Sequence, residues 1–340
     1  MSELKTTYLY NFHTSQNAKM IDFGGWSMPF SYDGTLKEHN YVREDSGFFD
    51  VSHMGLLRLQ QDQMELINSL ICSELSSIEN TKALYSLFLN DNGNALDDVI
   101  FWKFEDDLIL ICNASNTEKI TNHLASHNVN FDNLTSDTVL IAVQGKSAIE
   151  KLKNKFNIPE KFYTERIDKF TYARTGYTGE DGIEIMCSND DADELINYLM
   201  SIDIKPCGLG SRDTLRLEGS LPLYGFELTE DISPVEAGLK WTITNKSNYL
   251  GKGRVDDQIN SGNHKYLKRF TLNGRQIART GTEVLSDNVK GLVTSGNISP
   301  VLQVPIGFVL FESKPPVDLV NFDIRGNLLE GNLLKKRFLS

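Results

Sequence analysis

The spacing of apolar positions along the chain predicts a mixture of helices and strands. Apolar residues recur at intervals of three and four in four stretches, which predicts amphipathic helices over Gln61–Cys72, Ser115–His127, Gly145–Phe156 and Asp190–Ser201. Short apolar or alternating runs predict strands over Leu56–Leu59, Val99–Phe104, Leu108–Cys112, Val139–Gln144, Phe170–Ala173 and Ile183–Cys187. Separate helices and strands mixed in this order are typical of α+β layers.

The pattern changes from Tyr266 onward. Helical spacing disappears there, and short strand candidates alternate with turn residues, as in Leu272–Arg275 and Thr294–Asn297. This stretch therefore predicts a separate all-β domain. We place its boundary near Gly251–Gly253, where two glycines flank a lysine.

Length and charge narrow the class of protein. A chain of 340 residues is longer than one ordinary hydrophobic core supports, so several domains are expected. The net charge of −12 argues against a nucleic-acid binder, because neutralising phosphates needs a basic surface. The N-terminus lacks an apolar signal core, and no apolar run reaches the roughly 20 residues of a membrane span, so we expect a cytoplasmic protein. The alternative is an organelle protein whose transit segment has been removed. Four widely spaced cysteines without C-x-x-C spacing favour reduced, buried thiols.

Several familiar catalytic motifs are missing from the sequence. It contains no P-loop, no H-E-x-x-H and no G-x-S-x-G motif, and its glycine-rich segments lack dinucleotide spacing. His123 and His127 are four apart, but no further ligand completes a metal site, so a solvated helix is the favoured interpretation. His53 has two open interpretations, a hydrogen-bonded histidine in a turn or a proton-transfer group.

The most informative segment is Asn90–Ile100, a turn that leads two adjacent carboxylates into a β-branched strand. Side chains alternate along a strand, so one carboxylate of the Asp97–Asp98 pair points inward. If that residue is Asp98, its charge needs a cation or donor groups in an enclosed cavity. The alternative is that both acids lie at the surface of a turn.

In this setting the chain resembles the glycine cleavage system T protein family, the aminomethyltransferases, over nearly its whole length. The segments that carry the resemblance occur in the family's order: Phe23–Phe30, Gly47–Met54, Ala83–Ser86, Asp97–Asp98, Ala142–Gly145, Arg174–Ile185, Gly208–Glu218, Ser233–Leu239 and Thr294–Pro300. The resemblance implies a three-domain cloverleaf of α+β class. Its first domain would be ferredoxin-like and discontinuous (1–50 and 140–250), its second α+β (51–139) and its third β-barrel-like (251–340).

The resemblance also implies an activity. Family members move an aminomethyl carbon from the lipoyl arm of the partner H protein to tetrahydrofolate and release ammonia. Tetrahydrofolate would be the co-substrate and the lipoylated H protein the partner, with no metal, nucleic acid or membrane involved.

The same comparison assigns expected roles to individual residues. Asp98 matches the family's key acid, and Glu184 matches the carboxylate that binds the pterin, whose amino group and ring N–H can donate two parallel hydrogen bonds. Arg212 matches a ligand-site arginine, whereas Asp213, Arg216 and Glu218 are interpreted as residues that pair along the helix at surface spacing. Aromatic and further lining positions are expected at Tyr85, Tyr177, Asn113 and Met54. Packing or turn roles remain the alternatives for these four.

Two rival functions remain open on the same scaffold. One is another tetrahydrofolate-dependent enzyme, such as a demethylase, which shares the cavity and differs in its carbon donor. The other is a non-catalytic folate-binding protein of iron–sulfur cluster maintenance. That family carries a K-G-C-Y-x-G-Q-E signature, whereas the nearest segment here, Tyr249–Arg254, lacks the Cys and the Gln-Glu.

Overall fold

A computed structural model describes residues 3–244, 246 and 248–339. The strands are β1 (Lys5–Thr6), β2 (Lys19–Phe23), β3 (Trp26–Ser31), β4 (Gly47–Asp50), β5 (Gly55–Gln60), β6 (Ala83–Leu89), β7 (Ala95–Lys103), β8 (Asp107–Cys112), β9 (Phe131–Asn133), β10 (Thr138–Gln144), β11 (Thr164–Ile167), β12 (Phe170–Ala173), β13 (Gly182–Ser188), β14 (Lys205–Pro206), β15 (Tyr266–Leu272), β16 (Glu283–Ser286), β17 (Val289–Ile298), β18 (Pro305–Phe311), β19 (Leu319–Ile324) and β20 (Asn327–Leu334). The helices are α1 (Tyr10–Ser15), α2 (Thr35–Glu44), α3 (Met64–Leu70), α4 (Thr117–Ser126), α5 (Ala148–Leu152), α6 (Asn189–Ser201), α7 (Leu209–Glu218) and α8 (Lys252–Ser261).

These elements form two compact units. Unit 1 contains the described residues up to Asn68, together with Glu74–Ser86 and Val99–Leu215. Unit 2 contains Ser69–Ser73, Leu87–Asp98 and the chain from Arg216 onward. The α+β class is confirmed, and the division into three domains stays a prediction.

Unit 1 is built on sheets. A six-stranded sheet has the order β11-β12-β13-β10-β4-β14, and a three-stranded sheet has the order β1-β3-β2. A five-stranded sheet has the order β6-β7-β8-β5-β9, and the residues of β6 from Leu87 and of β7 up to Asp98 belong to unit 2.

Strand β10 explains why part of this sequence is continuously apolar. Ile141 and Val143 point into a core that also contains helix residues such as Leu195, whereas Leu140 and Ala142 point into a second core on the opposite face. A strand that is buried on both faces carries apolar residues throughout instead of alternating with polar ones. The predicted strand Val139–Gln144 is confirmed by β10.

The barrel predicted after Tyr266 is confirmed in unit 2. Strands β15-β18-β17-β16-β19-β20 close into a six-stranded barrel. Phe270, Val293, Phe311 and Phe322 belong to its buried core. In β19 the buried Val320 and Phe322 alternate with exposed residues, as expected for a strand with one face in the core.

The helix predictions differ in their outcome. Helices α4 and α6 confirm two of the predicted helices, and all four of their ends lie within two residues of the prediction. The prediction Gln61–Cys72 was too long, because a 3₁₀ turn precedes α3 and Ile71 pairs with Phe88. The prediction Gly145–Phe156 was wrong in extent, since α5 covers only Ala148–Leu152.

Candidate functional site

A loop between β12 and β13 carries Tyr177 and leads directly to Glu184. At the base of this loop, Arg174 donates from Nε and Nη2 to the two oxygens of Asp181, at 3.0 and 2.7 Å. Arg43 of α2 donates from Nη1 to Glu180 Oε1 and to the backbone oxygen of Thr178, both at 2.9 Å. These bidentate and charge-assisted bonds fix the loop against the sheet.

The fully buried Gln144 supports the loop from below. Its Nε2 donates to the backbone oxygen of Thr175 at 3.0 Å, and its Oε1 accepts from Thr178 Oγ1 at 3.1 Å. A Cβ atom at Gly176 or Gly182 would overlap the Gln144 side chain. The two glycines therefore allow the loop that carries Tyr177 to lie directly on this amide.

Glu184 lies on β13 between two small neighbours. It is opposite Ala142 on one adjacent strand and Ala173 on the other. The side chain is buried, with 6% of the residue's surface exposed. Thr175 Oγ1 donates to its Oε2 at 2.6 Å. A buried carboxylate is thus held in one orientation by the loop.

Helix α7 begins at a buried carboxylate. Glu38 of α2 has no exposed surface, and its Oε2 accepts from the backbone N–H of Gly208 at 2.7 Å and from Ser211 Oγ at 3.4 Å. Its Oε1 accepts from the backbone N–H groups of Tyr32, Asp33 and Gly34. Negative charge at a helix N-terminus is favourable, and here it fixes the turn from which Arg212 projects.

Arg212 meets two of the other predicted site residues. Its guanidinium carbon lies 4.8 Å from the centroid of the Tyr177 ring, and it interacts electrostatically with Glu184. Burial lowers the pKa of Arg212, while Glu184 and Tyr177 act in the opposite direction. Within the described part of the chain, the buried Nη1 atom of Arg212 has no hydrogen-bond partner. The structure thus groups a carboxylate, a guanidinium and an aromatic ring in unit 1.

His53 belongs to the same neighbourhood, which the sequence did not indicate. The pKa of His53 is lowered to about 4, mainly by burial; the charge of Asp50 opposes this shift, and the smaller effect of Arg212 adds to it. The ring of Phe23 is edge-on to the imidazole at a centroid distance of 5.5 Å. The Nδ1 atom of His53 is buried and finds no partner among the described residues. The structure therefore places His53 in a buried site within electrostatic reach of Arg212, which its position in a sequence turn did not indicate.

The two acids of β7 alternate as predicted, but the fully buried one is Asp97. Asp97 has no exposed surface, whereas Asp98 is half-buried. The preceding turn is organised by Asn90, whose Oδ1 accepts from the backbone N–H groups of Asn92 and Asn94. Asp98 therefore keeps accessible surface and Asp97 does not.

Comparisons with known proteins point to one family, and the similar proteins align with nearly the whole chain. Residues 9–247 match the model of the GCVT N-terminal domain. An aminomethyltransferase of Caldanaerobacter subterraneus is 36% identical over 367 residues, covering 99% of this chain and 98% of the relative. Another from Thermotoga petrophila is 37% identical over 356 residues, with 98% of each chain covered. The chain belongs to the GCVT family of aminomethyltransferases.

A solved structure of this family has the same fold. The glycine cleavage system aminomethyltransferase T from Bartonella henselae superposes with a TM-score of 0.92 at 28% identity, covering 99% of this chain and 98% of the other. Like its relatives, this GCVT-family chain is an enzyme that transfers an aminomethyl group.

The remaining expected site residues of this aminomethyltransferase lie in unit 1. Tyr85 is half-buried on β6, and Asn113 is half-buried directly after β8. Met54 packs against the core that contains Trp102 and Leu140. The structure therefore gives Met54 a packing contact.

One expectation on α7 was wrong. The surface setting expected for Arg216 and Glu218 is contradicted, because both residues are buried. Arg216 donates from Nη1 to Glu227 at 3.1 Å, and Glu218 accepts from Ser299 and from the backbone N–H of Val301. Both residues are structural groups of unit 2, so Arg212 is the arginine of this helix that remains a site candidate.

The described residues contain neither a cluster of metal ligands nor a membrane-spanning helix. No three His, Cys, Asp or Glu side chains in residues 3–244, 246 and 248–339 are grouped so that they could hold a metal ion. In the same residues, no helix is long and apolar enough to cross a membrane.

Proposed function

We propose that this GCVT-family enzyme takes the aminomethyl group from the lipoyl arm of an H protein, releases ammonia and transfers the carbon to tetrahydrofolate. The products would be methylenetetrahydrofolate and the dihydrolipoyl form of the carrier. The observation that carries the proposal is the grouping of Glu184, Arg212 and Tyr177, at the positions where the family resemblance expects a reduced folate to bind.

Glu184 is suited to hold the pterin ring. A carboxylate accepts two parallel hydrogen bonds from an amino group and an adjacent ring N–H, which matches the edge of a pterin. Thr175 donates to one oxygen of Glu184, which restricts rotation of the carboxylate before a ligand arrives. A prepared acceptor of this kind lowers the ordering cost of binding.

Arg212 and Tyr177 supply the complementary groups. The flat Tyr177 ring offers a stacking surface, and the guanidinium above it offers planar donors for an oxygen acceptor of the ligand. The negative charge of Glu184 offsets the positive charge of Arg212, so both groups can stay buried before the ligand binds.

Asp98 is the proposed catalytic residue. When the aminomethyl carbon leaves sulfur it becomes an electron-poor, iminium-like centre, and a fixed negative charge stabilises that developing charge. Asp98 is half-buried on a regular strand behind a turn ordered by Asn90, so its position is set by the backbone. We assign electrostatic stabilisation and orientation of the folate amine to this carboxylate.

The experiment that tests the proposal is a transfer assay joined to a binding measurement. The purified protein is expected to bind tetrahydrofolate with about one-to-one stoichiometry and to gain thermal stability from it, because the ligand binds the native state. It is expected to form methylenetetrahydrofolate and ammonia from an aminomethylated H protein. Turnover with a sulfonium or N-methyl donor in place of the carrier would favour the demethylase rival. Folate binding without turnover would favour the non-catalytic rival.

A further inference from the structure

The sequence contains two Asn-Gly pairs, Asn92–Gly93 and Asn273–Gly274, and both lie in unit 2. In such a pair the backbone nitrogen of the glycine can bond to the side-chain amide carbon of the asparagine, because no Cβ hinders the approach. The side-chain amide nitrogen then leaves as ammonia, and a succinimide ring remains. Water opens this ring at either bond between its nitrogen and a carbonyl carbon, which gives aspartate or isoaspartate. The two pairs share this chemistry, so the fold decides how they differ.

The pair Asn92–Gly93 is held closed by the turn before β7. The N–H of Gly93 donates to the backbone oxygen of Asn90 at 2.8 Å, and the Asn90 side chain accepts from the N–H of Asn92 at 3.0 Å. Gly93 is buried, and a Cβ at its position would lie 2.8 Å from the backbone oxygen of Gly251. The attacking nitrogen is therefore engaged, and its peptide cannot turn towards the Asn92 side chain unless the turn opens.

The pair Asn273–Gly274 lies in the open. It directly follows β15, and both of its residues are exposed, as are Arg275 and Gln276 after them. Nothing lies within 4 Å of the position that a Cβ of Gly274 would take. Within the part of the chain that the structure describes, neither the Gly274 N–H nor the Asn273 side chain makes a hydrogen bond. The attacking nitrogen and the amide carbon are therefore not held apart, and water reaches both.

We propose that Asn273 is a modification site of the folded protein, where deamidation through a succinimide with Gly274 releases ammonia and consumes one water molecule. Asn92 is protected by its turn, so the segment that leads into the acids of β7 stays intact. The reaction needs no reactant besides water and does not depend on the proposed function. Its product carries a new negative charge two positions before the exposed Arg275, which lowers the positive potential of the basic segment Lys252–Lys290.

Peptide mapping of the aged protein tests the proposal. The full-length chain is incubated in mildly alkaline buffer at physiological temperature, and its peptides are analysed by mass spectrometry over time. The peptide that contains Asn273 is expected to gain the mass of an amide-to-acid conversion, with a share present as isoaspartate. The rate at Asn92 is expected to be at least about tenfold lower, because it requires local opening of the turn. Similar rates at the two sites in the folded protein, or no conversion at Asn273, would overturn the proposal.

Two controls separate the effect of the fold from that of the local sequence. In concentrated urea the turn is lost, and Asn92 is expected to convert at a rate similar to that of Asn273. Protection of Asn92 that persisted in the unfolded chain would contradict the structural explanation. In Asn273→Gln the longer side chain must close a larger ring, so the acidic form that ion exchange separates from aged wild type should not accumulate. Its accumulation in that variant would place the modification elsewhere in the chain and exclude Asn273 as the site.

Discussion

The guanidinium carbon of Arg212 lies 4.8 Å from the centroid of the Tyr177 ring, and the two residues come from different elements, helix α7 and the β12–β13 loop. A cation over an aromatic face is attracted by about 0.5–2 kcal/mol, depending on how far it is desolvated. The contact therefore couples the position of the loop to that of the helix, and with it the two sides of the proposed pterin site.

Replacing Tyr177 tests that coupling. We expect Tyr177→Phe to keep folate affinity within about twofold, because it retains the ring face, and Tyr177→Leu to weaken it by about tenfold. Isothermal titration with tetrahydrofolate measures both variants. Equal affinities for Phe and Leu would show that the ring face is not used.

Glu184→Gln should weaken tetrahydrofolate binding by at least about tenfold. The change replaces an acceptor oxygen by an amide that presents donors to the donors of the pterin edge. The readout is the ligand-induced shift in melting temperature. Glu194→Gln on the surface of α6 is the matched control, and it should behave like wild type. A normal shift in Glu184→Gln would make Glu184 a structural residue.

Much of the fold follows from local pattern. Strands such as β8 and β10 are dense in apolar, β-branched residues, and the α6 segment shows clear helical spacing with an amphipathic face. Such signals lie within the segment itself, so a sequence pattern is enough to find them.

Helix α2 shows where the pattern stops being informative. Its buried positions are Glu38 and His39 as well as Val42, whereas Leu36 is 60% exposed. The apolar spacing that predicts a helix is therefore absent. One of the donors that stabilise Glu38 in the interior is the backbone N–H of Gly208, 170 positions away. No local signal can indicate a partner at that distance.

The site residues likewise fall into those that a sequence motif indicates and one that it does not. Glu184, Arg212 and Tyr177 were expected from motif resemblance, and the structure brings them together. The lowered pKa of His53 comes mainly from burial, and two of its neighbours, Phe23 and Arg212, come from other parts of the sequence. It could not be predicted from the turn in which His53 lies.

The lowered pKa of His53 predicts a pH dependence of stability. The folded-state pKa of about 4 lies below the unfolded value of about 6.5, so the unfolded chain takes up the proton first. Stability from this residue is present above pH 6.5 and is lost as the pH falls from 6.5 towards 4. Between pH 7 and pH 5 the loss should be about 2 kcal/mol.

Urea unfolding of wild type and His53→Phe at the two pH values measures this contribution. The variant has no imidazole to protonate, so its stability should fall by about 2 kcal/mol less than that of wild type over the same interval. All other groups titrate equally in the two proteins. An identical pH dependence would mean that His53 does not stay neutral in the folded chain.

Docking of the carrier should depend on a basic segment of unit 2. Between Lys252 and Lys290 the sequence has eight basic and four acidic residues in a chain whose net charge is −12. Arg275 and Arg279 are exposed there. If the H protein presents an acidic surface, charge reversal at both arginines should raise the KM for that carrier at low salt and leave the KM for tetrahydrofolate unchanged.

Lys153→Glu is the control for that experiment, because it makes the same kind of charge change at an exposed position of unit 1. It should leave the KM for the carrier nearly unchanged. Association that is insensitive to ionic strength and to the Arg275 and Arg279 reversals would exclude this segment as the docking surface.

Variants of the two adjacent acids of β7 distinguish a catalytic carboxylate from a structural one. Asp97 is fully buried, so Asp97→Asn should lower the melting temperature, while its effect on turnover should be several-fold at most. Asp98 is half-buried, and Asp98→Asn keeps the shape of the side chain while removing its charge. The second variant should fold and bind folate normally.

The central claim is tested most directly by the turnover number of Asp98→Asn with aminomethylated H protein and tetrahydrofolate, measured beside Asp97→Asn and wild type. We predict that Asp98→Asn lowers kcat by about two orders of magnitude, the scale of losing one positioned electrostatic group, with folate affinity nearly unchanged. Near-normal turnover of Asp98→Asn, or a greater loss in a correctly folded Asp97→Asn, would contradict the assignment of Asp98 as the catalytic carboxylate.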